Sequence, residues 1–232
     1  MINDRLIDAG ELPIAVRDFG GDQPPLLLLH GGGGNLATMT TLARALRPRH
    51  RVITMDLRGH GRSGDGAWSW DAALADIAAV VVQLELTDPA VVGQSLGAIV
   101  GTTFGAVLPV PADLPPGVPT VNPLRIPTMV MSVPGGGLAE LLRDSPTFGP
   151  RINAGLQTQG LLPGTSLYAQ FMRDVQTIID AGDPLNFVTQ TAARRSIYFQ
   201  QMVGGGMVLP DQVIPNSATQ RLITAITNNG LA

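Results

Sequence analysis

At 232 residues and 24.3 kDa the chain is long enough to bury a core of ordinary size, and 44% hydrophobic against 14% charged residues excludes a disordered polymer. A formal charge of −3 and a pI near 5.5 leave no basic footprint for nucleic acid or an anionic membrane surface. All fifteen cationic side chains are arginines and cysteine is absent, so Schiff-base lysines, disulfides, thiolate metal sites and cysteine nucleophiles are ruled out, and no cofactor or metal is expected.

The opening MINDRLIDAG lacks the basic-then-apolar order of a signal peptide, and no apolar run approaches the ~20 residues that span a bilayer. As written, the chain reads as cytoplasmic and without a membrane span. Leu12–Phe19 reads as an edge strand, and Pro25–Leu29 as a buried one running into glycines. Leu36–Leu46 has the pattern of an amphipathic helix, and Arg51–Met55 that of the next strand. Trp70–Leu84 carries apolar residues at helical spacing. Ala90–Val92 is a short strand entering Gly93-Gln94-Ser95-Leu96-Gly97, and Ala98–Leu108 a buried helix.

Seven prolines in residues 109–127 exclude helix or central strand there and mark a connection. Thr128–Val133 resumes as a strand, residues 138–190 are mainly helical and cap-like, Ile197–Val203 is one more strand, and Ser217–Thr227 a last helix. Strands alternating with helices predict an α/β domain over residues 1–232, with a mostly parallel sheet flanked by helices.

Gly93-x-Ser95-x-Gly97 between strand and helix is the pattern of a nucleophile elbow. The tight turn forces the serine into a strained conformation, and side chains at either glycine would strike neighbouring backbone. His30-Gly31-Gly32-Gly33-Gly34-Asn35 follows a buried strand and lets backbone N–H groups face a developing oxyanion. The expected donors are the amides of Gly32, with Gly33 as its alternative, and Leu96. A phosphate loop would need a lysine and a Ser/Thr at its end, and neither is present.

Asp211, past the last strong strand, is the candidate acid; Asp180 and Asp183 are better explained as caps before Pro184. His60 in DLRGHGRS reads as a turn-stabilising residue rather than a base, and His50 as a surface residue. Trp68 and Trp70 are read as packing residues at a helix start, Met129 and Met131 as core. The remaining requirement is a histidine after Ser95, and the chain has none: its histidines are 30, 50 and 60. Serine is a poor nucleophile without a base beside it.

LLLLHGGGGN, RVITMDLRGHGRSG and VVGQSLG resemble the lactonase, haloperoxidase and C–C hydrolase group of the α/β-hydrolase superfamily. From about residue 94, SLGAIVGT, SVPGGGLAELLRDSPTFGPRINAGL, VQTIIDAGDPLNF and DQVIPN resemble bacterial extracellular lipases of the virulence-factor type. The resemblance implies an α/β-hydrolase fold lacking its last strand, in a chimeric chain truncated before the histidine-bearing loop; its lipase-like half is similar to exported proteins. It also implies a serine carboxylic ester hydrolase on a small-molecule or lipid ester, with Ser95 as nucleophile, Asp211 as acid and little or no activity. The alternative is a catalytically dead scaffold or binding module. An uncovered sheet edge after Ile197–Val203 is expected to favour a homodimer.

Overall fold

The computed structural model describes residues 2–22, 24–108 and 125–231. Most of the proline-rich connection, residues 109–124, lies outside them. Seven strands form one sheet in the order β1-β2-β4-β3-β5-β6-β7: Asn3–Asp8, Pro13–Asp18, Pro25–Leu29, Arg51–Met55, Ala90–Gln94, Thr128–Ser132 and Ser196–Gln200 for β1 to β7. β1 and β2 are antiparallel to their neighbours, and β3 to β7 run parallel.

Period-two alternation decides which layer each strand residue joins. In β3, Leu27 and Leu29 face a cluster with Ile77 and Val80 of α2 (Trp70–Gln83) and Val100 and Phe104 of α3 (Leu96–Val107). Leu26 and Leu28 face Met39 and Ala43, at and just before α1 (Thr40–Leu46). Ile197 and Phe199 of β7 pack with Val188 of α7 (Val188–Arg194) and Leu222 of α8 (Asn216–Asn228). Between β6 and α7 lie α4 (Leu138–Asp144), α5 (Gly149–Thr158) and α6 (Ser166–Ile179), which share a satellite cluster around Ala139, Tyr168 and Met172.

The structure corrects the reading of Leu12–Phe19 as the edge. That segment, as β2, is flanked on both sides, and the edge belongs to β1. Only Ile7 of β1 is buried, so its sequence carries no hydrophobic period; main-chain pairing from Asn3↔Asp18 to Asp8↔Pro13 makes the strand. Leu36–Leu46 is likewise not one helix: Leu36–Met39 is a 3₁₀ turn capped by the Asn35 side chain, and α1 follows. β7 stops at Gln200 and pairs only with β6 among the described residues.

Register sets the functional edge. Leu29 stands opposite Met55 and Gly93, Gly93 opposite Met131, and Met131 opposite Phe199. The segments that leave these carboxyl ends, beginning at His30, Asp56, Ser95, Val133 and Gln201, therefore emerge along one rim of the sheet.

Candidate active site

Ser95 sits between β5 and α3 with φ 50° and ψ −115°, a conformation that disfavours any residue with a Cβ. Its amide donates to Ser132 O (2.9 Å), and its carbonyl accepts from Ala98 and Ile99 (both 2.9 Å), so strand β6 and the first turn of α3 hold it in place. The flanking glycines are needed sterically. A Cβ on Gly93 would lie 2.6 Å from Gly97 C and 2.7 Å from Ala98 Cα, and one on Gly97 would lie 2.6 Å from Leu29 C and 2.7 Å from His30 O.

The glycine run after β3 closes against this turn. Gly97 N–H donates to His30 O (3.1 Å), and a Cβ on Gly31 would come 3.3 Å from Ser95 Cβ. Neither the Gly32 nor the Leu96 amide has a protein acceptor among the described residues, and both residues border the same cleft as Ser95. α3 adds the positive end of its backbone dipole at this point.

The DLRGHGRS loop is the buttress. Leu57 N–H donates to His30 Nε2 (3.0 Å), which places the ring proton on Nδ1, within 2.8 Å of Gly31 O. Burial of this fully enclosed imidazole holds it below the usual histidine range, so it stays neutral and acts as a staple between loops. Asp56 accepts from the amides of Leu36 (2.5 Å) and Arg62 (2.8 Å), tying the same two loops together. Arg58, almost wholly buried, makes a two-pronged pair with Asp76 of α2 (2.8 and 3.0 Å) and also reaches Ala67 O (2.8 Å). His60 bonds through Nδ1 to Arg58 O (3.0 Å) and borders the Ser95 cleft; its ring lies 5.0 Å from that of His30. His50 is at the opposite end of the sheet, against Pro24 O.

Asp211 follows β7 on the functional rim. Its Oδ1 accepts from the amides of Val213 (2.7 Å) and Ile214 (2.8 Å), and it is these two residues, not Asp211 itself, that border the cleft. Asp183 is fully buried and accepts from the amides of Gly137, Leu138 and Leu185 and from Gln176 Nε2, which accounts for both oxygens as caps. Asp180 accepts from Gln176 Nε2 (2.7 Å). Met129 and Met131 are fully buried in the core.

The cleft beside Ser95 has a volume of about 490 Å³. One wall is Trp68 and Trp70, edge to face at 6.2 Å; the other is Leu138, Leu141 and Leu142 of α4 with Phe148 before α5. Trp70 does pack against the core, as the sequence reading has it, but that reading did not foresee that both rings also line the cleft. The available signal was their position, bracketing the N-cap Ser69 in a chain with only 4% aromatic residues. Trp70 can lie there because a Cβ on Gly182 would fall inside its ring. Among the described residues no group of three acids or histidines could hold a metal, and no helix is long and apolar enough to cross a membrane.

Residues 26–223 match the sequence profile of the alpha/beta hydrolase family. The chain belongs to that family. The chain is similar along 98% of its length to the crystal structure of E-2-(acetamidomethylene)succinate hydrolase, covering 88% of that chain with a TM-score of 0.65 at 18% identity, a likeness of fold. Over 77 residues (32% of this chain and 25% of the relative) it is 39% identical to the sn-1-specific diacylglycerol lipase ABHD11 of Xenopus laevis. Over 99 residues (41% and 33%) it is 33% identical to esterase Rv0045c of Mycobacterium tuberculosis. The matched stretches thus span between a quarter and a third of those two relatives.

Proposed function

We propose that the hydrolase cleaves carboxylic esters through an acyl-enzyme on Ser95. The observation that carries this reading is the strained Ser95 held against the Gly31–Gly32 backbone, with the unengaged Gly32 and Leu96 amides at the same cleft. Ser95 Oγ attacks the acyl carbonyl, its carbonyl oxygen becomes an oxyanion facing those two amides, and the ester C–O bond breaks to release the alcohol. Water then attacks the acyl-enzyme and releases the acid. One oxyanion donor is typically worth ~3–4 kcal/mol in such a step. The names of the relatives, a diacylglycerol lipase and an esterase, support ester bonds as the target.

Residues 1–232 contain no histidine after Ser95, so the proton of Oγ has no base in the usual position. Turnover by these residues alone is expected to be slow, within roughly 10³–10⁴ of the uncatalysed rate. The same observation favours a second reading, a hydrolase fold retained as a binding scaffold. A fluorophosphonate probe combined with nitrophenyl acetate hydrolysis separates the two. Labelling and turnover that vanish in Ser95→Ala support the esterase; no labelling of the wild type supports the scaffold.

Asp211 is proposed as the acid that would orient a histidine supplied from outside residues 1–232, although its Oδ1 already caps the Val213–Ile214 turn. Asp211→Asn keeps an acceptor for those amides and removes the charge. With imidazole added as the missing base, lost activity at unchanged Tm supports the acid; unchanged activity leaves Asp211 as a cap.

A further inference from the structure

The cleft that Ser95 borders is sorted by charge, and the sorting is done by α4. Leu138, Leu141 and Leu142, at helical spacings of three and four, turn toward Ser95. Glu140, Arg143 and Asp144 of the same helix border a separate groove that holds charged side chains, where Arg143 pairs with Asp144 (2.6 Å) and Glu140 with Arg221 (3.4 Å). The Ser95 cleft continues as Ile99, Phe148, Ile179, Val213 and Ile214. His60 is its one residue able to carry a charge, and no arginine or acid stands there among the described residues.

We infer that this cleft takes an uncharged, unbranched or lightly branched alkyl acyl chain and rejects acyl groups bearing a second carboxylate. The inference rests on Ser95 being the reacting group. An alkyl tail loses water against Trp70, Leu141 and Ile214, a gain roughly proportional to the apolar area covered. With the reacting carbonyl on the Gly32 and Leu96 amides, a carboxylate at the far end of that tail would leave water with no arginine, lysine or further pair of free amides lining the cleft to receive it, which strongly disfavours the ionised form. The mouth is itself apolar: Trp68 is 42% exposed, Leu142 and Phe148 39% each. A chain too long for the cleft would meet these three at the rim.

Trp68 and Trp70 are the only tryptophans in the chain, and both line the cleft, so intrinsic emission reports occupancy without catalysis. Titrating wild type with butanoate, hexanoate and octanoate in mildly alkaline buffer should give saturable emission changes, affinity rising about fourfold per added methylene. Hexanedioate, equal in length to hexanoate but charged at the tail, should bind at least tenfold more weakly. Leu142→Arg places a guanidinium at an exposed rim position and should close most of that gap. Hexanedioate binding wild type as tightly as hexanoate, or affinity independent of chain length, overturns the inference. Because emission does not require turnover, a clear chain-length trend without fluorophosphonate labelling upholds the acyl-chain cleft while the catalytic reading fails. Labelling without the trend does the reverse.

Discussion

Replacing Ser95 by glycine and by alanine in parallel isolates the strain of the turn from the chemistry of the hydroxyl. Both variants lose Oγ, and only alanine keeps a Cβ at φ 50° and ψ −115°. A residue held in such a conformation costs on the order of 1–3 kcal/mol. Elsewhere glycine is the less stable choice by about 0.4–1 kcal/mol, because its unfolded chain has more freedom to lose. The difference leaves Ser95→Gly more stable than Ser95→Ala by roughly 1 kcal/mol, or about 2–4 °C in Tm for a chain of this size. Scanning calorimetry of the two variants side by side measures it. If alanine proves as stable as glycine or better, the backbone at 95 is relaxed, and the geometric basis for a raised nucleophile is wrong.

Gly97→Ala drives a methyl into the backbone of Leu29 and His30 and is expected to lose about 3 kcal/mol; Gly101→Ala, which meets the movable Met131 side chain at 3.1 Å, should lose clearly less, and equal losses by urea unfolding would contradict the steric account. Asp76→Ala removes the two-pronged partner of the buried Arg58 guanidinium, which keeps Glu11 (3.1 Å) and Ala67 O (2.8 Å), and should cost roughly 2–3 kcal/mol, part of it recovered by adding Arg58→Met; a double variant no better than the single one would place the damage elsewhere. His30 has its folded pKa depressed by burial, so the unfolded chain takes up the proton first as pH falls. The stability from keeping this ring neutral is present above the unfolded value of about 6.5 and is lost as pH drops below it. Tm should therefore fall more steeply over that interval in wild type than in His30→Asn, and parallel slopes would show that His30 is not the group responsible.

The glycine spacing around Ser95 was legible because its pattern is local, although part of its cause, the approach of Gly97 to Leu29 and His30, is not. Gly93 and Gly97 flank a turn in which any Cβ meets backbone a few residues away or on the adjacent strand, and strand-turn-helix patterning announces that turn. The parallel strands were legible for a related reason: buried on both faces, Pro25–Leu29 reads as an unbroken apolar run, and Arg51–Met55 as an apolar, β-branched one carrying only Thr54 as a polar residue within it. β1 was not legible, because a strand held by main-chain bonds at an exposed edge leaves no mark in its side chains.

The sequence by itself determined the α/β plan, the rim on which Ser95, the His30–Asn35 glycines and Asp211 emerge, and the absence of any histidine after Ser95. Only the tertiary structure decided that Trp68 and Trp70 face the cleft, that α4 turns its leucines toward Ser95 and its charges away, and that the Asp211 carboxylate caps its own loop. The physical reason is range. A turn, a strand run or a missing residue type is written within a few neighbouring positions. The cleft is lined by segments as far apart in the chain as Gly32 and Ile214, and which face each shows depends on what packs behind it.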